Sequence, residues 1–302
     1  MLTTISQLHA LATKTSKKKL VLAAAHDDNA MEAVSSAFNT GIIDVILVGN
    51  EEKIKVIANK KSIDISKMRI IDEPDVDKAA ILAVKLVHDK EAQILMKGIL
   101  TTANLLRAVL NKEWGLRSGE LLSHLALFQI PAYHKIIALT DAAMNIAPDL
   151  AGKAAIIKNA VEYLSKLGIS NPKVAILAAV ETVNEAMPAT VEAAALTKMG
   201  EKGQIKNCII DGPLAFDNAI NKHSAEHKGI ISKVAGDADL LVGPDIEASN
   251  MLYKSFIFFA QAQCAAVIVG ATAPIVLTSR ADSEETKLNS IALAAAVNYE
   301  LK

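Results

Sequence analysis

The stretch SHLALFQIPAYHKIIALTD, residues 123–141, decides how the rest of the chain is read. Two apolar runs, Ser123–Ile130 and Lys135–Thr140, are separated by little more than Pro131, Ala132 and Tyr133. So short a connection holds no crossover helix, so the two runs form an antiparallel hairpin. Outward from the hairpin, strand-like runs alternate with helical patterns. On the amino-terminal side the strands are Leu20–Ala25, Asp44–Val48, Met68–Ile71 and Gln93–Met96. On the carboxyl-terminal side they are Lys173–Ala179, Lys206–Ile210, Leu240–Val242, Ala265–Val269 and Pro274–Thr278. Alanine-rich amphipathic segments lie between most of them: Asn29–Asn39, Asp75–Asp89, Thr101–Asn111, Asp149–Leu167, Ala186–Met199, Glu247–Gln263 and Ser283–Glu300. Such alternation means βαβ units and largely parallel sheets with helices on both faces, an α/β fold. The loop-like residues 141–148 after the hairpin mark the switch from a first to a second α/β domain. From pattern alone, the last helix closes either domain.

The chain has 302 residues, about two domains at roughly 150 residues each. Hydrophobic residues make up 51% and charged residues 22%, a globular balance. Thirty-two basic and 33 acidic side chains leave a net charge of −1, which argues against nucleic acid as partner. Cys208 and Cys264 are too few for a disulfide framework or a cysteine zinc site. Lys17, Lys18 and Lys19 follow the apolar residues of the N-terminus, the reverse of a signal peptide, so a cytoplasmic location is expected. Residues 255–279 carry no charge, yet Gln261, Gln263, Gly270 and Pro274 interrupt them. They are read as a buried helix and two buried strands, with no membrane partner.

Several chemistries are missing. Neither G-x-G-x-x-G nor G-x-x-x-x-G-K-[ST] occurs, nor a G-x-S-x-G elbow. His223 and His227 have ligand spacing but no third partner, so no metal site is expected. Two anion sites at strand-to-helix turns remain. In ILMKGILTTANLLR a strand ends at Lys97, Gly98 permits close backbone approach, and Thr101 or Thr102 caps a helix whose free N–H groups suit an anion, with Arg107 further on. In VLTSRADSEE an apolar strand delivers Ser279 and Arg280 to its carboxyl end, where ligands bind in open α/β sheets. An arginine there suits phosphate, because its planar fork binds two oxygens. Asp282 with Glu285 resembles a capping box for the final helix. A third unit, Gly236–Lys254, turns at Gly243-Pro244-Asp245 and sets Asn250 and Tyr253 one helical turn apart, able to face one ligand.

These segments, with SHLALFQIP and DGPLAFDNA (Asp211–Ala219), occur in one order along the whole chain. On them the chain resembles the phosphate acetyltransferase/butyryltransferase family, its butyryl-transferring branch most of all. The resemblance implies reversible conversion of a short-chain acyl-CoA, butyryl-CoA first, and phosphate to acyl phosphate and CoA. It implies no cofactor beyond CoA as substrate or product. It implies two α/β domains like those of isocitrate and isopropylmalate dehydrogenases, with the site in the cleft. In that fold the chain returns, giving residues 1–140 with 283–302 as one domain and 141–282 as the other. A homo-oligomer is expected.

In relatives the serine and arginine of the TSR segment sit at the reacting phosphate and carbonyl, here Ser279 and Arg280. Thr101, Thr102 and Arg107 match residues that border the site, and Lys97, Asn250 and Tyr253 join the substrate-binding set. Two departures matter. Thr286 stands where acetyl-transferring relatives carry an aspartate base, leaving Asp282 or Glu284 as substitutes. Leu121 or Leu122 stands where they carry a second arginine, with Arg117 as a possible compensation. Apolar residues there suit a longer acyl chain. Alternatives are acetyl-CoA preference, a metal- and NAD(P)-dependent hydroxyacid dehydrogenase of the same fold, or a silent CoA-binding regulator.

Overall fold

The computed structural model describes residues 2–279 and 282–298. They form two compact units, Ile5–Glu120 with Ala265–Lys302, and Met1–Thr4 with Leu121–Cys264. The sequence had placed the divisions at 141 and 283. The hairpin accounts for the earlier first division, because pairing keeps both its strands in one unit.

The unit that begins at Ile5 contains α1 (Ile5–Lys14), β1 (Lys18–Ala23), α2 (Asp28–Asn39), β2 (Ile43–Gly49), α3 (Glu51–Lys60), β3 (Arg69–Asp72), α4 (Val76–His88), β4 (Ile94–Lys97) and α5 (Thr102–Val109). Much later in the chain come β10 (Gln263–Val269), β11 (Ile275–Val276) and α11 (Glu284–Ala296). Its strand order is β3-β2-β1-β4-β11-β10, all parallel except β10 against β11. The chain therefore runs outward from β1 to β3 and then jumps to β1's other side. That reversal places a topological switch point between β1 and β4, whose carboxyl ends are aligned by the pair Ala23↔Lys97. β11 continues this edge through the pair Val276↔Met96. Strands β1 and β4 are buried almost throughout, which explains their unbroken apolar runs.

Helix α11 is buried along most of its length, from Lys287 and Asn289 to Ala296. Its buried Ser290 hydroxyl and Asn289 amide oxygen find partners, while Asn289 Nδ2 has none among the described residues. Ser290 Oγ donates to Thr286 O at 2.7 Å and accepts the N–H of Ala266 at 2.9 Å. Asn289 Oδ1 lies 2.7 Å from His9 Nε2. Burying side chains such as Ile291 and Leu293 contributes about 1.5–3 kcal/mol each.

The other unit contains β5 (Ser123–Gln129), β6 (Ile137–Thr140), α6 (Leu150–Lys166), β7 (Lys173–Leu177), α7 (Pro188–Glu201), β8 (Ile209–Leu214), α8 (Phe216–Ile220), α9 (Lys222–His227), β9 (Leu240–Val242) and α10 (Ile246–Phe258). Strand order is β5-β6-β9-β7-β8, parallel except for the antiparallel β5–β6 hairpin with register Leu127↔Ala138. The uncharged stretch after Lys254 completes α10 and supplies β10 and β11. Among the described residues no helix is long and apolar enough to cross a membrane.

Candidate active site

The site is built from the carboxyl ends of β1, β4 and β11. Gly98 sets their spacing. Its N–H donates to Ala23 O at 2.8 Å, and the next N–H, of Ile99, donates to Ala24 O at 3.0 Å. The turn after β4 is thus laid directly on the end of β1. Lys97 is 8% exposed, so it is not the surface lysine of an ordinary turn. Its Nζ donates to Gly98 O at 3.3 Å and Leu100 O at 3.2 Å, so the turn curls around the ammonium. Thr101 is the N-cap of α5, its Oγ1 accepting from the Asn104 N–H at 3.2 Å. Thr102 follows as the first helical residue, exposed, with the unpaired donors of the first turn. Arg107 lies exposed in the last turn of the same helix.

Beside this edge, β11 ends and the chain reaches Ser279, which is exposed. Arg280 lies outside the described residues. The backbone N–H of Ser279 donates to Asp282 Oδ2 at 2.6 Å, and the Asp282 N–H donates back to Ser279 O at 3.2 Å. Asp282 therefore closes the turn. The cap of α11 is Ser283, one residue later than the capping-box pattern suggested, its Oγ accepting from the Thr286 N–H at 3.1 Å. Asp282 is already engaged with the Ser279 N–H, so the Ser283 hydroxyl takes the capping role. Glu284 accepts from Ser36 Oγ at 3.1 Å.

One group here escaped the sequence analysis. Lys287, on the first turns of α11, is 4% exposed, and its Nζ donates to Ser279 O at 3.2 Å and to Asp282 O at 2.7 Å. Burial pushes its pKa down, while the carboxylates of Asp282 and Asp27 oppose that. The available signal was a lone lysine opening the apolar run KLNSIALAAA. Asp27 is the N-cap of α2 at the end of β1. Its neighbour His26 is held toward the neutral form by burial and then by Lys53, against the pull of Asp27. His26 Nδ1 is buried without a hydrogen-bond partner, so this histidine is not the satisfied polar residue that strand-end histidines usually are.

The remaining sequence candidates lie elsewhere. Asn250 and Tyr253 belong to the other unit, on α10. The Asn250 amide donates to Ala142 O at 3.0 Å. The Tyr253 ring is buried edge-on against His124 at 5.8 Å and Phe128 at 5.3 Å, and its hydroxyl accepts from Cys264 Sγ at 3.6 Å. Arg117 bridges Ala271 through its backbone, at the opposite end of β11 from Ser279. Leu121 is 38% exposed, and Leu122 is buried. Asn145 donates to Leu122 O at 2.9 Å and to Asp141 Oδ2 at 2.6 Å, fixing the segment after β6. His223 and His227 are exposed, and among the described residues no three His, Cys, Asp or Glu side chains group as metal ligands.

What the β1–β4–β11 edge offers is a hydroxyl on a fixed turn beside a helix N-terminus and a buried ammonium. Such an edge suits an anion that must be held while a neighbouring carbonyl reacts.

Comparison with known proteins gives the family. A family model described as phosphate acetyl/butaryl transferase matches residues 3–79 and 73–295. A phosphate butyryltransferase of Clostridium acetobutylicum is 48% identical over 93% of this chain and 93% of its own. A phosphate acetyltransferase of Thermotoga maritima is 44% identical over 92% of this chain and 94% of its own. Among solved structures, a branched-chain phosphotransacylase from Enterococcus faecalis superposes with a TM-score of 0.84 at 35% identity, covering 94% of this chain and all (100%) of that one.

Proposed function

The chain belongs to the phosphate acetyl/butaryl transferase family, and on that premise we propose that it exchanges a butyryl group between coenzyme A and phosphate. In the forward direction a phosphate oxygen attacks the thioester carbonyl. The C–S bond breaks, CoA leaves as thiolate and takes a proton, and acyl phosphate remains. Both substrates are held together, so the enzyme needs no covalent intermediate.

Arg280 binds the phosphate through its fork, and the Ser279 hydroxyl donates to the carbonyl oxygen as it gains charge. Thr101, Thr102 and the free N–H groups of α5 add donors for phosphate or for the CoA phosphates, and Lys97 and Arg107 add positive charge. In the reverse direction the CoA thiol must lose its proton. Asp282 is the carboxylate nearest in sequence to Ser279, and one of its oxygens is engaged by the Ser279 N–H. The observation that carries this reading is Ser279 held at the carboxyl edge of β11, next to the switch point, in a chain of this family. Similarity to acetyl-transferring relatives supports the second reading, preference for acetyl-CoA. A cytoplasmic homo-oligomer fits the acyl-CoA substrate.

The test is phosphate-dependent release of free thiol from butyryl-CoA. Release without phosphate, or none with it, refutes the reading.

A further inference from the structure

We propose that Lys287 is a positioning residue for the acyl transfer, resting on the reading of Ser279 as a site residue: it fixes the Ser279–Asp282 turn in its reactive geometry. Its Nζ ties the two ends of that turn, donating to Ser279 O at 3.2 Å and Asp282 O at 2.7 Å. With the Ser279 N–H given to Asp282 Oδ2 at 2.6 Å, both backbone polar groups of Ser279 are engaged. Ser279 itself is exposed, so burial does not fix it.

A lysine is a costly means of stabilising a helix at this point. The side chain is 4% exposed, and the residues that follow it on α11 are mostly apolar or small. Burying an ammonium costs free energy unless hydrogen bonds replace its water, and here two carbonyls of one turn do so. An apolar residue would pack on α11 at less cost, but it would leave the Ser279 and Asp282 carbonyls without this donor. The ammonium serves the turn more than the helix.

Lys287→Met keeps the volume and removes the donors. Misplacing a reacting group by about 1 Å costs on the order of a hundredfold. We therefore expect kcat to fall about ten- to a hundredfold, with KM for phosphate and butyryl-CoA changing less than about threefold. A residue that only stabilised the fold would lower Tm and the active fraction, leaving kcat per active site unchanged. In Lys287→Ala, n-propylammonium should restore turnover, and rescue should not track the basicity of the amine added. Rescue that follows amine pKa would make Lys287 a proton acceptor and overturn the positioning role. If Lys287→Met does not fold, Lys287→Gln decides, since it fills the space with a neutral polar head that is one bond too short for both carbonyls. A severalfold loss of kcat at unchanged KM supports the proposal, and wild-type kcat overturns it. Ser279→Ala separates the two levels. Should it lose turnover while Lys287→Met does not, only this proposal fails. Should it keep wild-type kcat, the reading of Ser279 fails and the role of Lys287 with it.

Discussion

A methyl group on Gly98 would lie 2.3 Å from Ala24 O and 2.6 Å from Ala23 O, both backbone atoms that cannot rotate away. Here glycine is required by close approach and not by a left-handed backbone. Gly98→Ala must push the turn off the end of β1 and break the bonds from Gly98 and Ile99. Overpacking of this kind costs about 1–3 kcal/mol, so urea unfolding should show that loss, and kcat should fall as Lys97 and Thr101 move. An unchanged midpoint would mean that the two turns yield easily. Arg280 carries the sharper chemical expectation. Two charged hydrogen bonds to one transition state are worth roughly 1.5–3 kcal/mol each, so Arg280→Ala should lower kcat/KM by about two to four decades while the fold persists. Arg280→Lys should recover only part, since lysine lacks the fork. Near wild-type kinetics in Arg280→Ala would remove it from the site. At this scale the sequence revealed residues whose types announce anion chemistry. It hid Lys287, whose role depends on which way a buried side chain turns.

Strands and helices were legible where burial is nearly complete. Among the described residues, each of the eleven strands overlaps an apolar run seen in the sequence, β8 only at Ile209 and Ile210. Helices α1, α3, α8 and α9 were not seen. In α3 only Ile54 and Ala58 are buried, too few for an apolar stripe, and the helix leans on its Asn50 cap. Strand β8 runs through Pro213, where the sequence reading stopped at Ile210. It is the terminal strand of its unit's order, where a missing N–H is tolerated. The amino ends of the neighbouring strands are joined by charge. Lys135, 8% exposed, lies 2.8 Å from Asp237 and 2.6 Å from Asp239, and Lys173 also pairs with Asp237. Partial burial by itself would raise the Asp237 pKa. Hydrogen bonds from Lys135 and Lys173 outweigh it and hold the carboxyl well below the usual aspartate range. A carboxyl depressed in the folded state stabilises fully above its unfolded value, near 4, and loses that contribution as pH falls toward the folded value. Wild-type Tm should therefore drop between about pH 5 and pH 3 more steeply than that of Asp237→Asn, and Asp237→Asn should melt lower at neutral pH. Parallel Tm–pH curves would show that the cluster contributes nothing measurable.

At the scale of the whole molecule, alternation and one short hairpin were enough for an α/β chain of two units. They did not fix where the units divide, because that depends on pairing between residues far apart in sequence. β11 joins β4 across roughly 180 residues, through Leu95↔Ile275 and Met96↔Val276. The acyl chain accepted is also a property of the assembled site, and it is the expectation most exposed to refutation. The family resemblance sets Leu121 or Leu122 where an arginine is expected in acetyl-transferring relatives, and an apolar residue there favours a longer tail. Butyryl exceeds acetyl by two methylenes, each worth about 0.8 kcal/mol when buried, hence about 1.6 kcal/mol together. At about 1.4 kcal/mol per decade, kcat/KM for butyryl-CoA should exceed that for acetyl-CoA by roughly tenfold, with propionyl-CoA between them. Leu121→Arg or Leu122→Arg should erode that ratio by weakening butyryl-CoA more than acetyl-CoA. A wild-type enzyme that turns over acetyl-CoA with the higher kcat/KM would overturn the butyryl assignment and leave phosphate acetyl transfer as the activity.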